Sequence, residues 1–161
     1  MERLWAPWRM QYVGVEQRPG CLFCRVIENP DDPDAELVVW RPEGALVIMN
    51  KFPYNAGHTM VVPVAHVPGL ENLDDEQTTH LMRALRRTIE VLRGAMDPEG
   101  FNVGANVGRA AGAGIPDHVH FHVVPRWNGD TNFMPVIGDV KVVNEALTKT
   151  AAKVREAFAK S

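Results

Sequence analysis

Residues 118–127 read HVHFHVVPRW, so three of the chain's six histidines fall in one short apolar stretch, at His118, His120 and His122. On a β-strand alternate side chains share a face, which stands the three imidazoles in one row while Val119, Phe121 and Val123 point the other way. Burying three imidazoles side by side requires a hydrogen-bond partner for each and does not tolerate several positive charges. Packing alone is therefore a poor reason for the pattern. A row of this kind suits a metal ion or an anion.

For the metal, successive histidines of the row sit about 7 Å apart, so one ion takes two of them only if the backbone bends. The two cysteines, Cys21 and Cys24 in CLFC, have the spacing of half a zinc site or of a redox pair. Two reduced buried thiols are the plainer alternative. Cys21 and Cys24 with one histidine of the row and one from elsewhere would give a closed tetrahedral set, which is structural rather than catalytic. His66, in PVAHVPG, is the candidate for the remaining ligand, against the alternative of a surface loop histidine. His80 falls within a helical pattern and is expected to face solvent.

For the anion, the glycines of the loop before the row, Gly108, Gly112 and Gly114, let backbone N–H groups approach phosphate oxygens, and His58 follows Gly57. A neutral imidazole can attack phosphorus while N–H-bearing neighbours stabilise the growing negative charge. The middle histidine, His120, is best placed for attack. That nucleophilic step requires no catalytic metal.

The elements that must hold these residues can be read from pattern. ELVVW (36–40), ALVIMN (45–50) and HTMVVPV (58–64) read as strands, with RPEG as a hairpin turn between the first two. NPDDPD (29–34) reads as a surface loop, and CLFCRVIE begins a short helix. From Asp74 to Gly94, Leu81, Leu85, Thr88, Ile89 and Leu92 recur at helical spacing, with an aspartate to cap the start and Gly94 to end it. FNVGANVG (101–108) is a fourth strand and the histidine run a fifth, joined by a loop too short for a parallel crossover. KVVNEALTKTAAKVREAFAK is a second long helical stretch, with Asn144 as its cap. The expectation is an α+β fold with an antiparallel sheet of about five strands, one long helix and a C-terminal helix.

At 161 residues the chain fits one domain, divided into an N-terminal arm (1–20), a core (21–133) and a C-terminal tail and helix (134–161). Apolar residues at 45% and charged residues at 23% are ordinary for a globular protein, and a formal charge of -3 argues against a general nucleic-acid binder. MERLWAPWRMQYV lacks the apolar core of a signal peptide, and no later run is long enough for a membrane helix. A cytoplasmic location follows as an expectation, with the two thiols reduced.

HVHFHVV resembles the His-x-His-x-His-x-x signature, with apolar x, of the histidine triad superfamily of nucleotidyl hydrolases and transferases. ALVIMNKFPYNAGHTMVVPVAHV is similar to that family's strand-loop-strand ending in Gly-His, and FNVGANVG with its glycine loop to the strand before the triad. MERLWAPWRM and PRWNGDTNF further resemble the bacterial branch near dinucleoside polyphosphate hydrolases and phosphorylases, such as those acting on diadenosine tetraphosphate. The resemblance implies that His120 becomes a covalent nucleotidyl-histidine, with His122 and His58 lining the phosphate site. It implies that Asn50 holds the ribose, that Asn106 and the Gly112–Gly114 backbone lie near the leaving group, and that His118 completes a structural zinc site with Cys21, Cys24 and His66. Arg126 and Trp127 could reach phosphate and base, or simply pack on a neighbouring segment. A homodimer, formed through a shared sheet edge and the long helix, is also implied.

The sequence departs from the family where many relatives carry Gln, Ser or Thr before the triad; here stand Gly114 and Ile115. An amine leaving group must be protonated, whereas a polyphosphate leaves as a stable anion, so the site suits a polyphosphate better. The alternatives are a purine-nucleoside phosphoramidate hydrolase, a nucleotide-binding regulatory protein with little turnover, and a zinc-binding interaction module.

Overall fold

The computed structural model describes residues 19–130 and 145–161. Expectations for the arm up to residue 18, for residues 131–144 and for Asn144 as a cap lie outside the described residues. Five strands form one antiparallel sheet: β1 (Val38–Trp40), β2 (Ala45–Met49), β3 (Thr59–Pro63), β4 (Gly100–Ala105) and β5 (Phe121–Arg126), in the spatial order β1-β2-β3-β5-β4. β5 thus runs between β3, which His58 precedes, and β4, which leads into the glycine loop. That order brings distant stretches of sequence to the histidines.

β2 and β3 are buried along their whole lengths, which explains why ALVIM and TMVVP read as continuous apolar runs rather than alternating ones. The long helix α2 (Asp75–Met96) packs against β2, β3 and β5. Asp74 opens it with a capping box: its carboxylate accepts from the Gln77 N–H, and the Gln77 side chain accepts from the Asp74 N–H. The helix passes the expected stop at Gly94 and ends at Asp97, which takes a left-handed backbone with φ 48°. A glycine inside a helix costs only about 1 kcal/mol, and the added turn seats the Met96 thioether against Gly57. A Cβ at Gly57 would lie 2.6 Å from that sulfur, and its φ of +77° also favours glycine.

Helix α3 (Leu147–Ala159) buries Ala151, Val154 and Phe158, with Phe158 stacked on Trp40 of β1 at 4.9 Å. The Arg155 guanidinium donates to the Val38 and Glu36 carbonyls. Helix α1 (Leu22–Glu28) buries Phe23 and Val26 completely.

Two expected boundaries shift for local reasons. β1 starts at Val38 instead of Glu36, because Pro33–Leu37 form a 3-10 turn whose cap, Asp32, accepts from the Asp34 N–H with Pro33 at the first helical position. Asp32 is correspondingly buried within the stretch expected as a surface loop. β5 begins at Phe121, so His118 and His120 precede the strand proper. The Val119 N–H there bonds to the Val67 carbonyl, and this bend in the chain decides what each histidine faces.

Candidate active site

The three histidines serve two adjoining clusters. His118 is fully buried, and its Nε2–H donates to the Pro63 carbonyl at 2.9 Å. A neutral imidazole carries one N–H, so Nδ1 keeps its lone pair. That lone pair faces Cys21 Sγ at 3.3 Å, Cys24 Sγ at 3.6 Å and His66 Nδ1 at 3.2 Å, while Cys24 Sγ and His66 Nδ1 are 3.1 Å apart.

Four ligand atoms within 4.8 Å of one another make a candidate metal centre. Tetrahedral zinc with N and S ligands at about 2.1 and 2.3 Å requires edges of roughly 3.3 to 3.8 Å, and these four separations, 3.1 to 3.6 Å, are close to that range. The donor set of two thiols and two imidazoles fits that ion. Without a cation, burial, then the hydrogen bond and charge of Cys21, push the Cys24 thiol up to about 11. A bound dication opposes that by stabilising the thiolate. The four residues expected to act together are therefore brought together.

His120 has the opposite tautomer. Its Nδ1–H donates to the His118 carbonyl at 2.9 Å, which leaves Nε2 with the lone pair. His122 lies beside it, ring centroids 5.0 Å apart. The Tyr54 backbone N–H donates to His58 Nδ1 at 2.9 Å, so the His58 proton sits on Nε2 and is donated to His122 Nδ1, also at 2.9 Å. His122 in turn must carry its own proton on Nε2. A relay thus runs from a loop amide through two rings and ends on an N–H of the ring that neighbours His120.

Burial holds all three triad histidines below the usual imidazole range. For His122 the neighbouring His120 lowers it further. Neutral rings are what the arrangement needs, since a protonated His120 has no lone pair with which to attack.

Asn50 closes the loop that carries Tyr54. Its Oδ1 accepts from the Phe52 N–H, and its Nδ2 stands 3.4 Å from His58 Nε2. One Oδ1 lone pair remains for a ligand hydroxyl. Asn106 follows the end of β4, where Gly104 is opposite His122 and Ala105 opposite Phe121. The Asn106 amide also lies alongside Gly112, at 3.9 Å from the position a Cβ there would take. Gly108 and Gly112 have φ of +83° and +84°. Gly114 has open space about it.

Arg126 and Trp127 are not gathered with the triad within this chain. The Arg126 guanidinium makes two bonds to the Asp130 carboxylate and one to Asn102. The Trp127 indole donates to the Asp97 carbonyl, five residues beyond His122 or roughly 17 Å along an extended chain. His80, expected in solvent, has a side chain only 17% exposed and packs over the β1–β2 turn at Gly44.

Two contributors escape sequence reading. Tyr54 stacks on His58 at 4.7 Å, besides supplying the amide that sets its tautomer. Phe23, between the two cysteines, touches both His118 and His120. The faint signals were the aromatic residue within CLFC and the spacing of four between Tyr54 and His58.

The family profile described as the HIT domain matches residues 33–129. An AP-4-A phosphorylase of Mycobacterium tuberculosis is 41% identical over 157 residues, 93% of this chain and 80% of that protein. An adenosine 5'-monophosphoramidase of Schizosaccharomyces pombe is 31% identical over 109 residues, covering 68% of this chain and 76% of that protein. A zinc-bound histidine triad family protein from Mycobacterium smegmatis superposes with a TM-score of 0.70 at 27% identity, over 88% of this chain and 94% of that one.

Proposed function

This chain belongs to the histidine triad (HIT) family, and from that membership we propose that it is a nucleotidyl hydrolase or phosphorylase acting on dinucleoside polyphosphates such as diadenosine tetraphosphate. The observation that carries this reading is the pairing of tautomers on neighbouring rings: His120 keeps a bare Nε2 and His122 carries an Nε2–H. His120 Nε2 attacks the α-phosphorus, a P–N bond forms, and the bridging P–O bond breaks with its electron pair leaving on the nucleoside polyphosphate. The His122 N–H stabilises the charge that builds on the phosphoryl oxygens. An oxygen of water or inorganic phosphate then attacks the same phosphorus, and the P–N bond returns its pair to His120. Likeness to the phosphorylase supports phosphate as the acceptor.

Asn50 takes the ribose, while Asn106 and the Gly112–Gly114 backbone lie along the departing group. Trp127 as a base contact would act from outside the site formed within one chain. The cysteine–histidine cluster takes zinc in this reading; zinc supplies a fixed cross-link there and no chemistry on the substrate. Exposed Asn102, Val103 and Gly104 on the edge strand β4 support pairing with a second copy. No described helix is long and apolar enough to cross a membrane.

Likeness to the monophosphoramidase favours a second substrate class. Against it, an amine leaving group needs a proton donor, Gly114 and Ile115 offer no side-chain one, and His118 is turned to the cysteines. Intact mass spectrometry after brief mixing with diadenosine tetraphosphate tests the reading. A nucleotidyl adduct should form on the native chain, be absent from His120→Gly, and clear faster with phosphate than with water. Absence of adduct and product would favour a phosphoramidate substrate or a regulatory protein.

A further inference from the structure

One hydrogen bond does not fix an imidazole. The bond from His120 Nδ1–H to the His118 carbonyl holds one ring atom, but the ring can still tilt about that contact and carry Nε2 off its line of attack. A second surface is needed, and the fold supplies it from an unexpected place. Phe23 is completely buried on α1, with its ring centroid 5.1 Å from that of His120 at 55° and 5.3 Å from that of His118 at 80°. It sits in the sequence between Cys21 and Cys24, whose sulfurs lie 3.3 and 3.6 Å from His118 Nδ1. The same residues that gather the metal cluster therefore set the place of the ring that backs His120.

We propose that Phe23 is a positioning residue for His120, the wall that holds the imidazole plane so that Nε2 alone is presented to phosphorus. This rests on the reading of His120 as the nucleophile. Phe23 touches no substrate; it acts through the orientation of a neighbouring ring. The rigidity of the tilted aromatic ring matters more than its volume, since a flexible aliphatic side chain of similar bulk lets the imidazole rock and exchange tautomers.

The test uses the full-length, zinc-loaded protein with Phe23→Leu, and Phe23→Met as a second variant of flexible bulk should the first fold poorly. Val26→Ala is the control, because Val26 is on the same helix and equally buried. With diadenosine tetraphosphate, Phe23→Leu and Phe23→Met should lower kcat roughly tenfold and leave KM within about twofold, as expected for loss of orientation alone. Long-range proton–nitrogen spectra of the imidazoles should show a single His120 tautomer, protonated at Nδ1, in the native protein and a mixture in both variants. Val26→Ala should keep the single tautomer and the native kcat despite its lowered Tm.

The proposal fails if either Phe23 variant keeps the native kcat, if Val26→Ala loses as much activity for the same loss of Tm, or if added zinc restores the variants. If the native protein never acquires a nucleotide on His120, the functional reading fails instead. The nitrogen spectra then decide separately: a single tautomer surviving in Phe23→Leu overturns the role of Phe23.

Discussion

Two clusters of histidines lie on either side of Phe23, built from one residue type and opposite in wiring. In the first, His66 and His118 turn their Nδ1 atoms toward each other and toward two sulfurs, so acceptors converge on a common centre. In the second, His58 and His122 are joined head to tail, Nε2–H to Nδ1, and each acceptor but that of His120 is filled. The difference comes from backbone carbonyls. Pro63 occupies Nε2 of His118 and frees Nδ1; the His118 carbonyl occupies Nδ1 of His120 and frees Nε2. Two residues apart in sequence, the same side chain turns its lone pair toward a cluster of possible metal ligands in one case and leaves it unengaged beside His122 in the other. The role of a histidine is set by which ring nitrogen the main chain engages.

The comparison breaks most sharply at His120. His120→Gly should lower turnover of diadenosine tetraphosphate by about 10³-fold or more, in a protein that still binds zinc by metal analysis, since neither ring nitrogen of His120 joins the metal cluster. His58→Ala probes the relay. Without the His58 N–H, His122 Nδ1 loses its donor and the ring is free to place its proton on either nitrogen, so kcat should fall about 10²-fold, a loss of the size found on removing one oxyanion donor.

On the metal side, Cys21→Ser should act through folding. Removing one ligand should abolish stoichiometric zinc and, for a loss of about 3 kcal/mol, lower Tm by roughly 6–12 °C in a domain of this size. Activity of the fraction still folded should fall less than in His58→Ala. A native chain without zinc, and a Cys21→Ser protein with the native Tm, would mean that the cluster is two thiols and two imidazoles with no metal role.

How far the sequence shows this can be seen residue by residue. The period-2 histidines, the CxxC pair and Gly57-His58 are legible because chemistry restricts which residue types can stand there; spacing singles out Cys21 and Cys24 and offers His66 as a further ligand, while the choice of His118 from the row rests on the family resemblance. The tautomers are not legible. They depend on carbonyls of Pro63 and His118, and a carbonyl belongs to every residue alike. The bend that splits the row is equally hidden, since HVHFHVV is as good a strand from its first residue as from its fourth. Helix α2 was over-punctuated at Gly94, because the reason to continue is the packing of Met96 on Gly57, a contact between segments far apart in the chain. His80 likewise read as a solvent-facing helix residue, and its burial comes from a turn glycine without a side chain to keep it out.

The smallest effect concerns acid. Burial lowers the pKa of His120 and His122 below the usual 6.5. A group whose folded pKa is depressed takes up its proton first in the unfolded chain, so its contribution to stability is fully present above about 6.5 and fades as pH falls through the folded value. Stability followed by chemical denaturation should accordingly be flat from pH 8 to 7 and decline below about 6.5. The acid limb of kcat/KM should lie lower still, at the folded pKa of free enzyme, where His120 loses its lone pair. The two clusters then separate in one experiment. In Cys21→Ser, stability should drop with the loss of zinc at every pH, whereas the activity limb, set by His120 behind Phe23, should stay in place. An activity limb that moved up to the ordinary histidine value in Cys21→Ser would show that the clusters share one environment, and that the division by main-chain carbonyls is less complete than the hydrogen bonds depict.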